Sequence, residues 1–131
     1  MKTLISASVL ALIVGLAAAG GAAQKTTRIK FARGAAAATV SGYLTGFGSK
    51  KAYVIRVRAG QTLSTRQLGS RHNITLAITD PDGEDVTDSD ASCNNRKEVS
   101  PTLAGDYTIV VIECQKADPW RGTFRFRVTV R

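Results

Sequence analysis

The sequence predicts an all-β protein: a single antiparallel β-sandwich, jelly-roll-like, of seven to eight short strands. Two observations predict it. Apolar residues recur at every second position in one segment after another, the period of a strand with one buried face. Turns rich in Gly, Pro, Asp and Ser separate these segments at intervals of about 8–12 residues, and no helical periodicity interrupts them.

The segments follow in order. Residues 27–33 place Ile29 and Phe31 on one face. Residues 38–47 alternate Val40, Gly42 and Leu44 with Thr39, Ser41, Tyr43 and Thr45. In residues 53–58, Tyr53, Ile55 and Val57 point one way and Arg56 and Arg58 the other. The Ala59-Gly60-Gln61 turn leads into a weaker strand over 62–68, and Ile74, Leu76 and Ile78 again fall at period two. Residues 107–112 are apolar on both faces, as in a central strand. Phe124, Phe126, Val128 and Val130 alternate with Arg125, Arg127, Thr129 and Arg131. The Ala35-Ala36-Ala37-Ala38 run favours helix, but it is too short to hold one and β-branched residues follow it.

Residues 1–23 read as a secretory signal peptide: Met1-Lys2-Thr3, an apolar run over 4–16, then small residues ending at Ala23. A membrane anchor is the competing reading, and the apolar run is short for a span. Cleavage after Ala23 leaves 24–131 as the sandwich domain, delivered to the periplasm or secreted. No later stretch is apolar enough for a membrane span.

Of 131 residues, 44% are hydrophobic and 21% charged, a balance that excludes disorder and allows one domain. One His and two Cys leave little for nucleophile or metal chemistry, so an enzyme is not expected, nor is any cofactor. His72 has no accompanying nucleophile motif and reads as a turn residue. In an oxidising compartment Cys93 and Cys114 read as a disulfide, worth roughly 3 kcal/mol by loop closure; buried free thiols are the alternative. Asp80-Pro81-Asp82-Gly83-Glu84-Asp85, with Asp88 and Asp90 beyond it, reads as a turn rather than a calcium loop, because its spacing misses the standard ligand pattern. Asn73-Ile74-Thr75 is a glycosylation sequon that matters only in a eukaryotic secretory route.

Charge is unevenly placed within a formal net of +8. Residues 24–79 hold ten Lys or Arg and no acid, whereas 80–98 are mostly acidic. The cationic strand faces, with Arg125, Arg127 and Arg131 on one and Arg56 and Arg58 on another, suit an anionic glycan or lipopolysaccharide; a solvated arginine face is the plainer reading. A nucleic-acid partner is not expected, because stacking aromatics are not interleaved with the basic residues.

An ordered series of short motifs runs through the chain: Phe31-x-x-Gly34, Ser41-Gly42-x-x-x-Gly46-Phe47, Tyr53 followed by Ala59-Gly60-Gln61, and Leu103-x-Gly105-x-Tyr107-x-x-x-Val111. This series resembles the bacterial periplasmic inhibitors of g-type lysozyme, small sandwiches like the pre-peptidase C-terminal domain. The resemblance implies an inhibitor that inserts loops into the lysozyme glycan cleft, with g-type lysozyme as partner. The family's aromatic after the Ser-Gly-x-x-x-Gly motif falls on Phe47, without a tyrosine hydroxyl. Its basic loop before the last strand falls on residues 114–122, where Gln115 stands in place of an arginine and a further arginine position falls near Pro119 or Trp120. The resemblance assigns partner contact to Phe47, with Lys116 and Arg121 able to stand in for the family's arginines; Trp120 joins them because a tryptophan at the same loop tip is costly to expose without a use. Trp120 is either an interface anchor or packed on the sandwich edge.

Overall fold

The computed structural model describes residues 25–87, 93–115 and 117–131. The leader segment, Asp88, Asp90 and Lys116 lie outside the described residues. Eight strands form two four-stranded sheets: β1 (Thr26–Arg28), β2 (Ala37–Leu44), β3 (Lys50–Val57), β4 (Leu63–Gln67), β5 (Ile74–Thr79), β6 (Arg96–Val99), β7 (Gly105–Glu113) and β8 (Gly122–Val130). One sheet has the order β1-β3-β7-β5 and the other β2-β8-β4-β6. Strands consecutive in sequence lie in opposite sheets, so neighbours in the chain do not pair as hairpins, and the two sheets make the all-β sandwich predicted from sequence. The pairing is antiparallel except at β1, which runs parallel to β3. Among the described residues no helix forms, and none is long and apolar enough to cross a membrane.

The period-two pattern becomes the core. Tyr53, Ile55 and Val57 of β3, Ile74, Leu76 and Ile78 of β5, and Tyr107, Ile109 and Val111 of β7 meet Leu44, Leu63, Phe124, Phe126 and Val128 of the other sheet. Tyr53 sits edge-on to both Phe124 and Phe126, with centroids 6.3 and 5.5 Å apart. Burial pushes the Tyr53 phenol up from its ordinary pKa. Ile29 and Phe31 also pack on the core, though β1 itself stops at Arg28. The 80–85 turn closes as expected: Asp80 Oδ1 accepts the N–H groups of Asp82 and Glu84, both at 2.9 Å.

Strand β6 departs from the sequence expectation, which left residues 80–98 as an acidic loop. Arg96-Lys97-Glu98-Val99 has too little apolar alternation to announce a strand, yet it pairs with β4 at the edge of its sheet. Charged edge strands of this kind resist pairing with other chains.

The motif residues have identifiable structural work. Gly60, at φ +79°, donates its N–H to the Thr102 carbonyl, in a backbone region that favours glycine. Thr102 Oγ1 accepts from Gln61 N–H at 3.0 Å and donates to the Arg58 carbonyl at 2.6 Å. The Tyr107 hydroxyl accepts the Leu103 N–H at 3.0 Å, so the buried ring keeps its polar tip satisfied. Gly42 points inward opposite Phe124, and a Cβ there would overlap that ring and lie 2.7 Å from the Tyr53 hydroxyl. Gly42→Ala is therefore expected to cost about 1–3 kcal/mol by overpacking, read from the urea midpoint. An unchanged midpoint would show that the aromatic cluster yields freely.

Edge strand β1 is strapped down by Arg28, whose guanidinium donates to both carboxylate oxygens of Asp106 at 3.2 and 3.0 Å. That bidentate contact holds the Asp106 carboxyl below the usual carboxylate range. A lowered carboxyl pKa contributes stability above the unfolded-state value and loses it as pH falls through the folded value. The protection factor of the Ile29 amide, which donates to the Val54 carbonyl, should fall selectively in acid, below the ordinary carboxylate range. Equal protection there at neutral and acid pH would show that the pair adds nothing.

Candidate functional site

Strand register gathers three connections at one end of the sandwich. Leu44, the last residue of β2, is the Cα partner of Gly122, the first of β8. Lys50, the first of β3, pairs with Ile112 near the end of β7. Residues 45–49, between β2 and β3, therefore stand beside residues 114–115 and 117–121, between β7 and β8. Ile74 pairs with Glu113, which brings residues 68–73 to the same end.

The 45–49 turn is closed by Ser49. Its hydroxyl oxygen accepts the Thr45 N–H at 3.0 Å, and its own N–H donates to the Gly46 carbonyl at 3.0 Å. Phe47 lies at the tip between Gly46 and Gly48 and is 67% exposed. Burying such a ring in a partner releases water from apolar surface at little conformational cost, because the turn is already formed. Tyr43, half exposed on the outward face of β2, adds a second ring next to Thr123.

The 114–121 connection is fixed at both ends by Glu113. This side chain is buried, and its Oε1 accepts the N–H groups of Gln115 at 2.8 Å and Trp120 at 3.1 Å. Two backbone donors five residues apart thus converge on one oxygen. Glu113 N–H in turn donates to the Ser49 carbonyl at 3.3 Å, which couples this connection to the Phe47 turn. Cys114 is disulfide-bonded to Cys93, with Cα atoms 5.3 Å apart, and its N–H donates to the Asn73 carbonyl. Of the two thiol readings, the bridge is the one present.

The sequence-assigned residues divide among different environments. Phe47 and Arg121 are exposed on adjoining connections. Trp120 is partly buried, packs against the core and lies over Gly122, where a Cβ would come within 2.9 Å of its ring. It also lines a recess of about 310 Å³ with Arg71, Thr123 and Arg125. Lys116 lies outside the described residues. Gln115 is half-buried, and its backbone is held by Glu113.

Beneath this end runs a chain of amides. His72 Nδ1 lies 2.8 Å from Asn95 Nδ2, Asn95 Nδ2 donates to Gln67 Oε1 at 3.3 Å, and Gln67 Nε2 donates to Asn73 Oδ1 at 2.7 Å. His72 is exposed and linked only to an amide in this chain, an arrangement without a nucleophile or an orienting acid. Asn73 is buried, so the sequon amide is used internally. Among the described residues no three His, Cys, Asp or Glu side chains gather as metal ligands.

Sequence reasoning missed Glu113 and Ser49 as organisers of the site. Glu113 carries a signal in retrospect: it occupies the inward parity of Tyr107, Ile109 and Val111, where a carboxylate is costly unless hydrogen-bonded. Glu113→Ala should free two backbone donors, costing about 1–3 kcal/mol, and speed amide exchange at Gln115 and Trp120. Protection unchanged at both amides would contradict the clamp. Reduction of Cys93–Cys114 should cost roughly 3 kcal/mol in urea unfolding. Identical midpoints with and without reductant would contradict that.

No protein-family model matches the chain, and no curated protein matches it. Solved structures do. The chain superposes on a periplasmic inhibitor of g-type lysozyme from Aeromonas hydrophila with a TM-score of 0.66 at 19% identity, covering 81% of this chain and 96% of that one. The corresponding Salmonella Typhimurium inhibitor gives 0.61 at 16% identity, covering 82% and 98%. A mutant of the Escherichia coli inhibitor gives 0.60 at 18% identity, covering 83% and 100%. The sandwich described above is thus similar in fold, over nearly the full length of those chains, to solved inhibitors of the family its motifs resemble.

Proposed function

We propose that this protein is an exported, non-enzymatic inhibitor of g-type lysozyme, delivered to the periplasm or secreted by cleavage of residues 1–23. The observation that carries the reading is the juxtaposition, at one end of the sandwich, of the Phe47 turn closed by Ser49 and the Gln115 and Trp120 backbone held by Glu113. The shared fold with three lysozyme inhibitors supports the choice of partner.

The chemistry is that of plugging a glycan cleft. Such a cleft carries a catalytic carboxylate and apolar surfaces for sugar rings. Arg121 presents a guanidinium fork that matches a carboxylate, and Phe47 offers an apolar face to a sugar subsite. Lys116, on the same connection, adds a second cation. Trp120 supports Arg121 by seating the connection on Gly122, while its exposed edge borders the contact. Because Ser49, Glu113 and the disulfide hold both connections in place, little ordering entropy is lost on binding.

Lysis of cell walls by g-type lysozyme should fall when the protein is added at micromolar excess. Phe47→Ala and Arg121→Ala should each weaken inhibition by about 30-fold, the effect of losing an interface hot spot. Undiminished lysis at that excess would refute the reading, and full inhibition by both variants would move the contact elsewhere on the molecule.

A further inference from the structure

The outer face of the β2-β8-β4-β6 sheet carries an arrangement that the sequence does not show. Arg127 of β8 is the Cα partner of Arg66 of β4, and Arg66 is the partner of Arg96 of β6. Three arginines from distant parts of the chain therefore stand side by side across three strands. Neighbouring strands are about 4.8 Å apart, so the row spans about 10 Å. All three side chains are exposed. Arg125 of β8 and Arg131, the residue after that strand, are exposed at the same parity and extend the cationic face on either side.

Like charges directly opposite one another across strands are destabilising, and here two such contacts share one row. No described carboxylate lies within ion-pair distance of Arg66, Arg96 or Arg127. The nearby Glu98 accepts a hydrogen bond from the Ser64 hydroxyl at 3.3 Å, in the adjacent row. A local rule broken without compensation among the described residues points to a ligand. The surface is also shaped: two open recesses of about 430 and 630 Å³ meet at Arg66, the first bordered by Arg96, Lys97 and the carboxylate Glu98 and the second by Arg127 and Arg131.

We propose that this face binds a linear anionic glycan with a carboxylate or another anion on successive sugars. Guanidinium forks at regular spacing suit repeated planar anions, which accept two parallel hydrogen bonds each. Large apolar side chains that would enter a lipid surface are lacking among the described residues of the row, and Tyr43 is the one exposed ring on that sheet face. A single ring is too few for the stacking that binds single-stranded nucleic acid. Tyr43 and Arg125 border both regions, but the Arg66, Arg96 and Arg127 row lies apart from the Phe47 and Arg121 connections, so the glycan site stands or falls independently of lysozyme inhibition.

The test measures binding of the purified protein to polygalacturonate, to uncharged dextran and to phosphatidylglycerol vesicles. Polygalacturonate is expected to bind with an affinity that falls steeply as salt rises, and dextran not to bind. Arg66→Gln/Arg127→Gln should weaken polygalacturonate binding about tenfold or more, with a thermal midpoint equal to or above that of the unsubstituted protein. Arg96→Gln, on the edge strand, provides a milder variant expected to lose affinity severalfold. Arg56→Gln/Arg58→Gln, on the other sheet, should bind unchanged. Affinity retained in all the row variants, or lost equally in the Arg56/Arg58 variant, would overturn the site. Equal binding of dextran would overturn the anionic chemistry, and binding to vesicles alone would replace the glycan with a membrane surface.

Discussion

Glu113 takes the last inward position of β7, where Tyr107, Ile109 and Val111 would otherwise be followed by another apolar side chain. A carboxylate is tolerated there because its oxygen receives two backbone donors that the turning chain would otherwise leave unsatisfied. The arrangement of the whole loop end depends on this contact. It sets where the strand stops, brings residue 115 back towards residue 120, and delivers Gly122 to its place opposite Leu44. The disulfide one residue along ties the same point to the segment that leads into β6. The remaining oxygen of Glu113 has no partner among the described residues, so the carboxylate is committed to its task at some cost.

The two outer faces of the sandwich differ in kind. On the β1-β3-β7-β5 sheet, Ala52, Val54, Val110 and Ile112 lie sheltered between neighbouring strands, and the exposed charge there includes the Arg28–Asp106 pair. On the other sheet the charge is one-signed along the Arg96, Arg66 and Arg127 row. A formal net charge of +8 is thus not spread evenly, and the field it produces has a direction. That field bears on encounter with partners; the proposed lysozyme contact relies instead on local pairing at the loop end.

Much of the fold was legible because period-two alternation survives in strands that face the core: the inward apolar residues of β3, β5 and β8 follow from it. The turn glycines and Tyr107 were legible as structural positions, and the structure supplies their partners in Thr102 and Leu103. Strand β6 was not legible, because an edge strand needs only one inward apolar side chain and Val99 is all it offers. The site was half legible. Phe47 and Arg121 follow from the family resemblance, but their adjacency is a property of strand register. Glu113 escaped notice because a lone carboxylate in a sequence carries no mark of burial. The arginine row escaped for a related reason: Arg66, Arg96 and Arg127 are far apart in the chain, and only the sheet order aligns them.

The most direct measurement is amide hydrogen exchange of this protein alone and saturated with g-type lysozyme. A loop-end contact predicts slowed exchange at residues 45–49 and 117–121, with residues 64–66, 96 and 127 unchanged. Slowed exchange confined to the arginine face, or no change anywhere at saturation, would contradict it.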